Sequence, residues 1–231
     1  MQGFMYKANH AGPHPTLILL HGYPGNERNL DLAQAVRAHG WNVIYFDYRG
    51  SWASQGEFSF RHCVEDVSSV YQYCKEHAAE LQIDTSRIAL FGHSMGGWVC
   101  LEALANIPGI RKGFALSTWD ILGNLNQVDA AGRESMNKEA DNYFVLHKSS
   151  GKALFDAVLA DKNYHDLNRL SSRLADKQVF LLDEHHRNKE LAANLQKTNI
   201  AYFNYEVWPT DHPFTNKRAS LIKQVLAFLE R

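Results

Sequence analysis

At 231 residues, 45% hydrophobic and 21% charged, the chain is long enough for one domain with a full core and has the composition of a globular protein. Its 24 Lys and Arg nearly balance 25 Asp and Glu, for a formal net charge of −1, and no polybasic stripe points to nucleic acid or a membrane surface. Residues 1–7 lack the apolar centre of a leader, no run reaches membrane-spanning length, and Cys63, Cys74 and Cys100 form no C-x-x-C pair, so buried thiols and a cytoplasmic location are expected.

Strand and helix signals alternate along the chain. Residues 17–20 form a short, wholly apolar strand. Residues 29–39 are helical, and Gly40 closes them as a C-terminal stop. A second strand covers 43–46, and Cys63, Val67, Val70 and Cys74 then recur at the spacing of one buried helix face. Strands follow at 88–91, 114–117 and 179–182, a helix at 187–197, an alternating strand at 201–208 and a terminal helix at 216–230. This βαβα order predicts a mostly parallel sheet of six or seven strands with helices on both faces. With so little chain before residue 17, no initial antiparallel hairpin is expected. One connection breaks the rhythm: about sixty residues with helical composition separate the strands at 114–117 and 179–182, far beyond an ordinary loop. A small helical cap over about 120–176 is the expectation, within a single domain spanning 1–231.

The most informative motif lies between the apolar run 88–91 and the helical segment Met95–Asn106. Gly92-His93-Ser94-Met95-Gly96 spells G-x-S-x-G, a turn that lifts a serine between strand and helix. Small residues at 92 and 96 let the two elements approach, and the Met95 amide at the helix start faces a developing oxyanion. A phosphate-binding or merely tight βα turn has the same spelling, so Ser94 needs partners elsewhere in the chain.

In folds with this elbow the partners follow in the order Ser, acid, His. His212, in the loop after 201–208, is the only histidine beyond His186 and is the candidate general base. The acid should follow 179–182, where Asp183 is preferred with Glu184 behind it; Asp120, after the preceding strand, is a third choice. The second oxyanion donor should be the amide of Tyr23 in His21-Gly22-Tyr23-Pro24-Gly25, beyond the first strand. Trp52 and Trp119, near strand C-terminal ends, are candidates to line a substrate pocket, although buried packing would use them equally well. His185-His186 lacks further ligands at metal spacing, and no metal or cofactor is expected.

Taken together, His21 to Gly25, Asp47-Tyr48-Arg49-Gly50-Ser51-Trp52, Gly92 to Gly97 and Asp211-His212-Pro213-Phe214 resemble the α/β-hydrolase superfamily over nearly the whole chain. The likeness is to bacterial serine hydrolases of the prolyl-oligopeptidase and dienelactone-hydrolase neighbourhood. It implies cofactor-free hydrolysis of a small-molecule acyl substrate, a carboxylic ester first of all, through an acyl-enzyme. Peptidase and acyltransferase action share the same machinery. In that family the acid sits in a longer loop than the one after residue 182, which keeps open a non-catalytic binding protein on the same scaffold. The sequence sets no expectation for oligomeric state.

Overall fold

The computed structural model describes residues 1–230. Seven strands form one sheet in the order β1-β3-β2-β4-β5-β6-β7. They are β1 (Gly3–Tyr6), β2 (His14–Leu20), β3 (Asn42–Phe46), β4 (Ile83–His93), β5 (Lys112–Leu116), β6 (Gln178–Asp183) and β7 (Phe203–Val207). All neighbours are parallel except β1, which runs antiparallel to β3 at the sheet edge. The sheet thus has no initial antiparallel hairpin, but a single antiparallel strand stands at its edge. It pairs Gly3 to Phe46 and Tyr6 to Val43, and never touches β2 as a hairpin would.

Strand alternation sorts the apolar side chains onto two faces. Leu17, Leu19, Val43, Tyr45, Phe91, Phe114 and Phe180 pack against α1 (Leu30–Ala38) and α10 (Arg218–Glu230), through Leu32, Val36, Leu221 and Val225. Ile18, Leu20, Phe46, Leu90, Ala115 and Leu181 face α2 (Phe60–Glu76), α4 (Met95–Asn106) and α9 (Lys189–Gln196). A single helical turn, α3 (Ala78–Leu81), leads into β4. With both faces covered, the central strands are apolar on both sides, and this is why 17–20 and 88–91 are continuous apolar runs.

The long connection between β5 and β6 holds α5 (Ile121–Gln127), α6 (Ala130–Asn142), α7 (Gly151–Ala160) and α8 (Lys162–His165), then two short 3-10 turns. Each of these helices begins on a side chain that satisfies one of its own amides. Asp120 accepts from Gly123 N at 3.0 Å, Asp129 from Gly132 N at 2.8 Å, Ser150 from Ala153 N at 3.0 Å and Asp161 from Tyr164 N at 3.2 Å. The segment is stitched to the loop after β3 through backbone. Trp52 N donates to Val145 O, His147 N to Gly50 O and Phe58 N to His147 O, each at 2.7 Å.

Candidate active site

β4 delivers Ser94 into a backbone conformation that side chains rarely adopt, φ 61° and ψ −118°. The turn holds because its polar backbone is satisfied by β5 and the loop beyond it. Ser94 N donates to Leu116 O at 2.8 Å, and Ser94 O accepts from Gly97 N at 2.9 Å and Trp119 N at 3.0 Å. Steric room explains the flanking glycines: a Cβ on Gly92 would lie 1.8 Å from Gly96 O, and one on Gly96 would lie 2.0 Å from Leu20 O. The second contact also ties the elbow to the end of β2, so the loop at 21–25 is delivered beside Ser94. A Cβ built at Gly22 would stand 3.2 Å from Ser94 Cβ. Among the described residues, neither the Tyr23 nor the Met95 amide finds an acceptor in the chain.

His212 sits in the loop between β7 and α10, with its side chain 43% exposed. Its Nδ1 donates to Glu184 Oε1 at 2.8 Å, and Glu184 Oε2 accepts from the hydroxyl of Ser117. Burial on its own would raise the Glu184 carboxyl, but the bonds from His212 and Ser117 outweigh it and hold the group at about 2. The Arg187 guanidinium stands 3.7 Å from the same oxygen.

Asp183, the first choice from sequence, does not face His212. Its carboxylate accepts from Asn188 N at 3.0 Å, Asn188 Nδ2 at 2.8 Å and Tyr205 OH at 3.0 Å, and burial raises its pKa. The reason is the period of a strand: consecutive side chains leave on opposite sides, so adjacent carboxylates at the end of β6 cannot both meet one imidazole. Asp120 is also elsewhere, capping α5. Its pKa too is raised by burial.

A cavity of about 330 Å³ brings together Ser94, His212, Tyr23 and Trp119 with groups from α5 to α7, among them Met136, Tyr143 and Phe155. Tyr23 lies against Trp119 (5.7 Å between ring centroids) and edge-on to Tyr143 (5.3 Å). Its hydroxyl is buried without a partner, and burial drives the phenol pKa well up. Trp119 lines the cavity, its indole N–H held by Asn124 Oδ1 at 3.1 Å. Trp52 is not: it donates to Pro24 O at 3.0 Å and lies under the Arg28 guanidinium, supporting the loop from behind.

Sequence reasoning missed Arg187, Tyr143, Phe155 and Met136, which carry no motif and reach the cavity only through tertiary packing. It also passed over His93, the variable residue of the elbow. Its Nε2–H donates to His212 O at 3.0 Å, and the two rings stand 4.9 Å apart. Burial, with the neighbouring His212 ring, lowers His93 to about 4, so it stays neutral while it holds the His212 backbone. A histidine inside a nucleophile-elbow motif was the available signal. Among the described residues, no three His, Cys, Asp or Glu side chains converge as metal ligands, and no helix is long and apolar enough to cross a membrane.

A family model described as "Serine aminopeptidase, S33" matches residues 11–169, more than half of the chain. The chain belongs to that family. Its sheet order, elbow and covering helices are those of the α/β-hydrolase fold. An Escherichia coli protein of 31.7 kDa, from the traX-finO intergenic region, is 33% identical over 157 residues, which cover 63% of this chain and 52% of that one. The chain thus spans about half the length of the curated relatives it matches. Among solved structures, Est1E from Butyrivibrio proteoclasticus, with ferulic acid bound, has a TM-score of 0.76 at 16% identity, covering 100% of this chain and 96% of that one. An esterase from Pyrococcus furiosus has a TM-score of 0.68 at 21% identity, covering 95% and 82%.

Proposed function

We propose that this S33-family chain is a serine hydrolase that cleaves a small carboxylic ester through an acyl-enzyme, with Ser94, His212 and Glu184 as its triad. Ser94 Oγ attacks the ester carbonyl carbon as His212 Nε2 takes the serine proton. The Tyr23 and Met95 amides stabilise the tetrahedral oxyanion. Collapse of that intermediate breaks the bond to the alcohol, which leaves with the proton held on His212. Water then attacks the acyl-enzyme by the same route in reverse roles, releasing the acid and restoring Ser94. Glu184 orients the imidazole and stabilises its cationic form, and its low pKa keeps it anionic throughout that cycle.

One observation carries this reading: the 2.8 Å bond from His212 Nδ1 to a buried Glu184, on a histidine that shares a cavity with a strained Ser94. A satisfied βα turn has no use for a carboxylate-oriented histidine opposite its serine. The same pair weighs against a non-catalytic binding protein, because a buried carboxylate bonds the histidine despite the short loop. An ester is favoured over a peptide because Tyr23, Trp119, Met136, Tyr143 and Phe155 give the cavity an aromatic and apolar side beside Ser94, and one fold neighbour is named an esterase. The helices α5 to α7 act as the cap, since they supply the walls that contact whatever Ser94 acylates.

The direct test is active-site labelling with a fluorophosphonate, combined with p-nitrophenyl esters and aminoacyl p-nitroanilides as substrates. Wild type should label and turn over the esters, and Ser94→Ala should lose both by about 10⁴-fold or more in kcat. Folded wild type that neither labels nor hydrolyses any ester would overturn the reading. Preference for the anilides would reassign the substrate to peptides while leaving the triad in place.

A further inference from the structure

A second cavity of about 310 Å³ lies beyond the wall of the first. Phe60, Leu154 and Val158 line it together with charged groups, among them Glu57, Arg61 and Asp161. The two cavities share no lining residue, and one ring of each lies against the other. Phe155 faces the Ser94 cavity, Phe60 faces the other, and their centroids are 6.0 Å apart. Phe60 also meets Trp119 at 5.8 Å and Tyr23 at 6.0 Å, so it backs two further walls of the catalytic cavity. Both phenylalanines are almost fully buried, at 2% and 4% exposure. Phe60 comes from the first turn of α2 and Phe155 from α7, so the partition joins the hydrolase body to the helical excursion.

We infer that Phe155, backed by Phe60, is the stop that limits acyl-chain length, and that the second cavity is a latent extension of the acyl subsite. The inference rests on the ester-hydrolase reading above. In that mechanism the departing alcohol takes its proton from His212, so it lies on the side of His212 and the exposed Arg187. The acyl arm is left with the Trp119, Met136 and Phe155 walls. It therefore runs into Phe155, behind which lies a cavity already formed, apolar at Phe58, Phe60, Leu154 and Val158 and charged at Glu57, Arg61, Lys148 and Asp161. Each methylene removed from water is worth about a fourfold gain in binding, so opening this space should be visible in chain-length preference.

The test is a p-nitrophenyl ester series from acetyl to decanoyl, read as the ratio of kcat/KM for octanoyl over butyryl within each protein. Wild type should favour butyryl by about tenfold or more, and Ser94→Ala should be inactive on every member, which checks the underlying reading separately. Phe155→Ala should raise the ratio about tenfold or more. Adding Ala157→Leu, which enlarges a side chain lining the second cavity, should bring the ratio back toward wild type; loss of packing alone would not be reversed in this way. Phe155→Leu, a milder change in a buried position, replaces Phe155→Ala if that variant does not fold, and should move the ratio in the same direction. The inference fails if wild type already accepts decanoyl as well as butyryl, if the ratio in the folded Phe155 variant stays within about twofold of wild type, or if Ala157→Leu does not reverse the gain.

Discussion

The cavity has two walls built by different physics. On the Ser94 side, backbone lies against backbone: Gly92 against Gly96, Gly96 against Leu20, and a strained serine pinned by β5 and its loop. On the side of α5 to α8, each helix satisfies its own first turn with a local cap, and much of the outer surface is exposed charge such as the Glu134–Lys138 and Lys152–Asp156 pairs. Changes on the first wall meet backbone of the sheet, whereas the second wall has an exposed outer surface where changes meet solvent. The contrast teaches that this architecture fixes where Ser94 stands and leaves the shape of the cavity beside it open to revision.

Glu184→Gln against Asp183→Asn is the sharpest way to break that picture, because the two carboxylates are adjacent in sequence and differ only in the side of β6 they leave. Glu184→Gln should lower kcat by about 10²-fold or more with KM little changed. Asp183→Asn should lower stability by about 1–3 kcal/mol, since it disturbs three hydrogen bonds in a buried site, while kcat in the folded protein falls far less. Kinetics and denaturant unfolding of both variants decide it; the reverse pattern would return the acid role to Asp183.

Stability should separate the two walls in the same manner. Gly96→Ala puts a methyl group within 2.0 Å of a backbone oxygen and should cost about 3 kcal/mol or more, or prevent folding. Lys138→Ala removes an exposed i,i+4 partner of Glu134 and should change stability by less than about 0.5 kcal/mol. Equal effects in urea titrations would show that the excursion is as tightly coupled to the sheet as the elbow is.

A smaller effect should appear in the pH dependence of melting, where two buried glutamates act with opposite sign. Glu184 is depressed from 4.5 to about 2, so its contribution is present above pH 4.5 and is lost as pH falls towards 2. Glu102 on α4 is raised from 4.5 to about 7, by burial that its bond from Arg169 at 2.7 Å only partly offsets. Its folded form keeps a proton that the unfolded chain gives up, so stability is lost as pH rises from 4.5 to 7. Glu184→Gln should flatten the acid side of a Tm-against-pH curve, and Glu102→Gln the side between 4.5 and 7. Identical curves for all three proteins would remove both assignments.

What the sequence determined by itself was whatever is written in local pattern. Continuous apolar runs at 17–20 and 88–91 announced strands buried on both faces, and the two glycines around Ser94 announced a contact too close for any side chain. His212 was legible because chain order leaves one histidine after the last strand. The edge strand Gly3–Tyr6 was not, since it is half-exposed and its pairing partner lies some forty residues away. The tertiary structure alone decided three matters. Pleating turned Glu184 rather than Asp183 toward His212, because a one-residue step turns a side chain to the other face. Packing sent Trp52 behind the loop and Trp119 into the cavity, although both are tryptophans beyond strand ends. The fold also set Phe155 against Phe60, from helices that are far apart in sequence. Local pattern records which way a backbone must bend; which side chains meet across the sheet's end depends on distances that no local pattern contains.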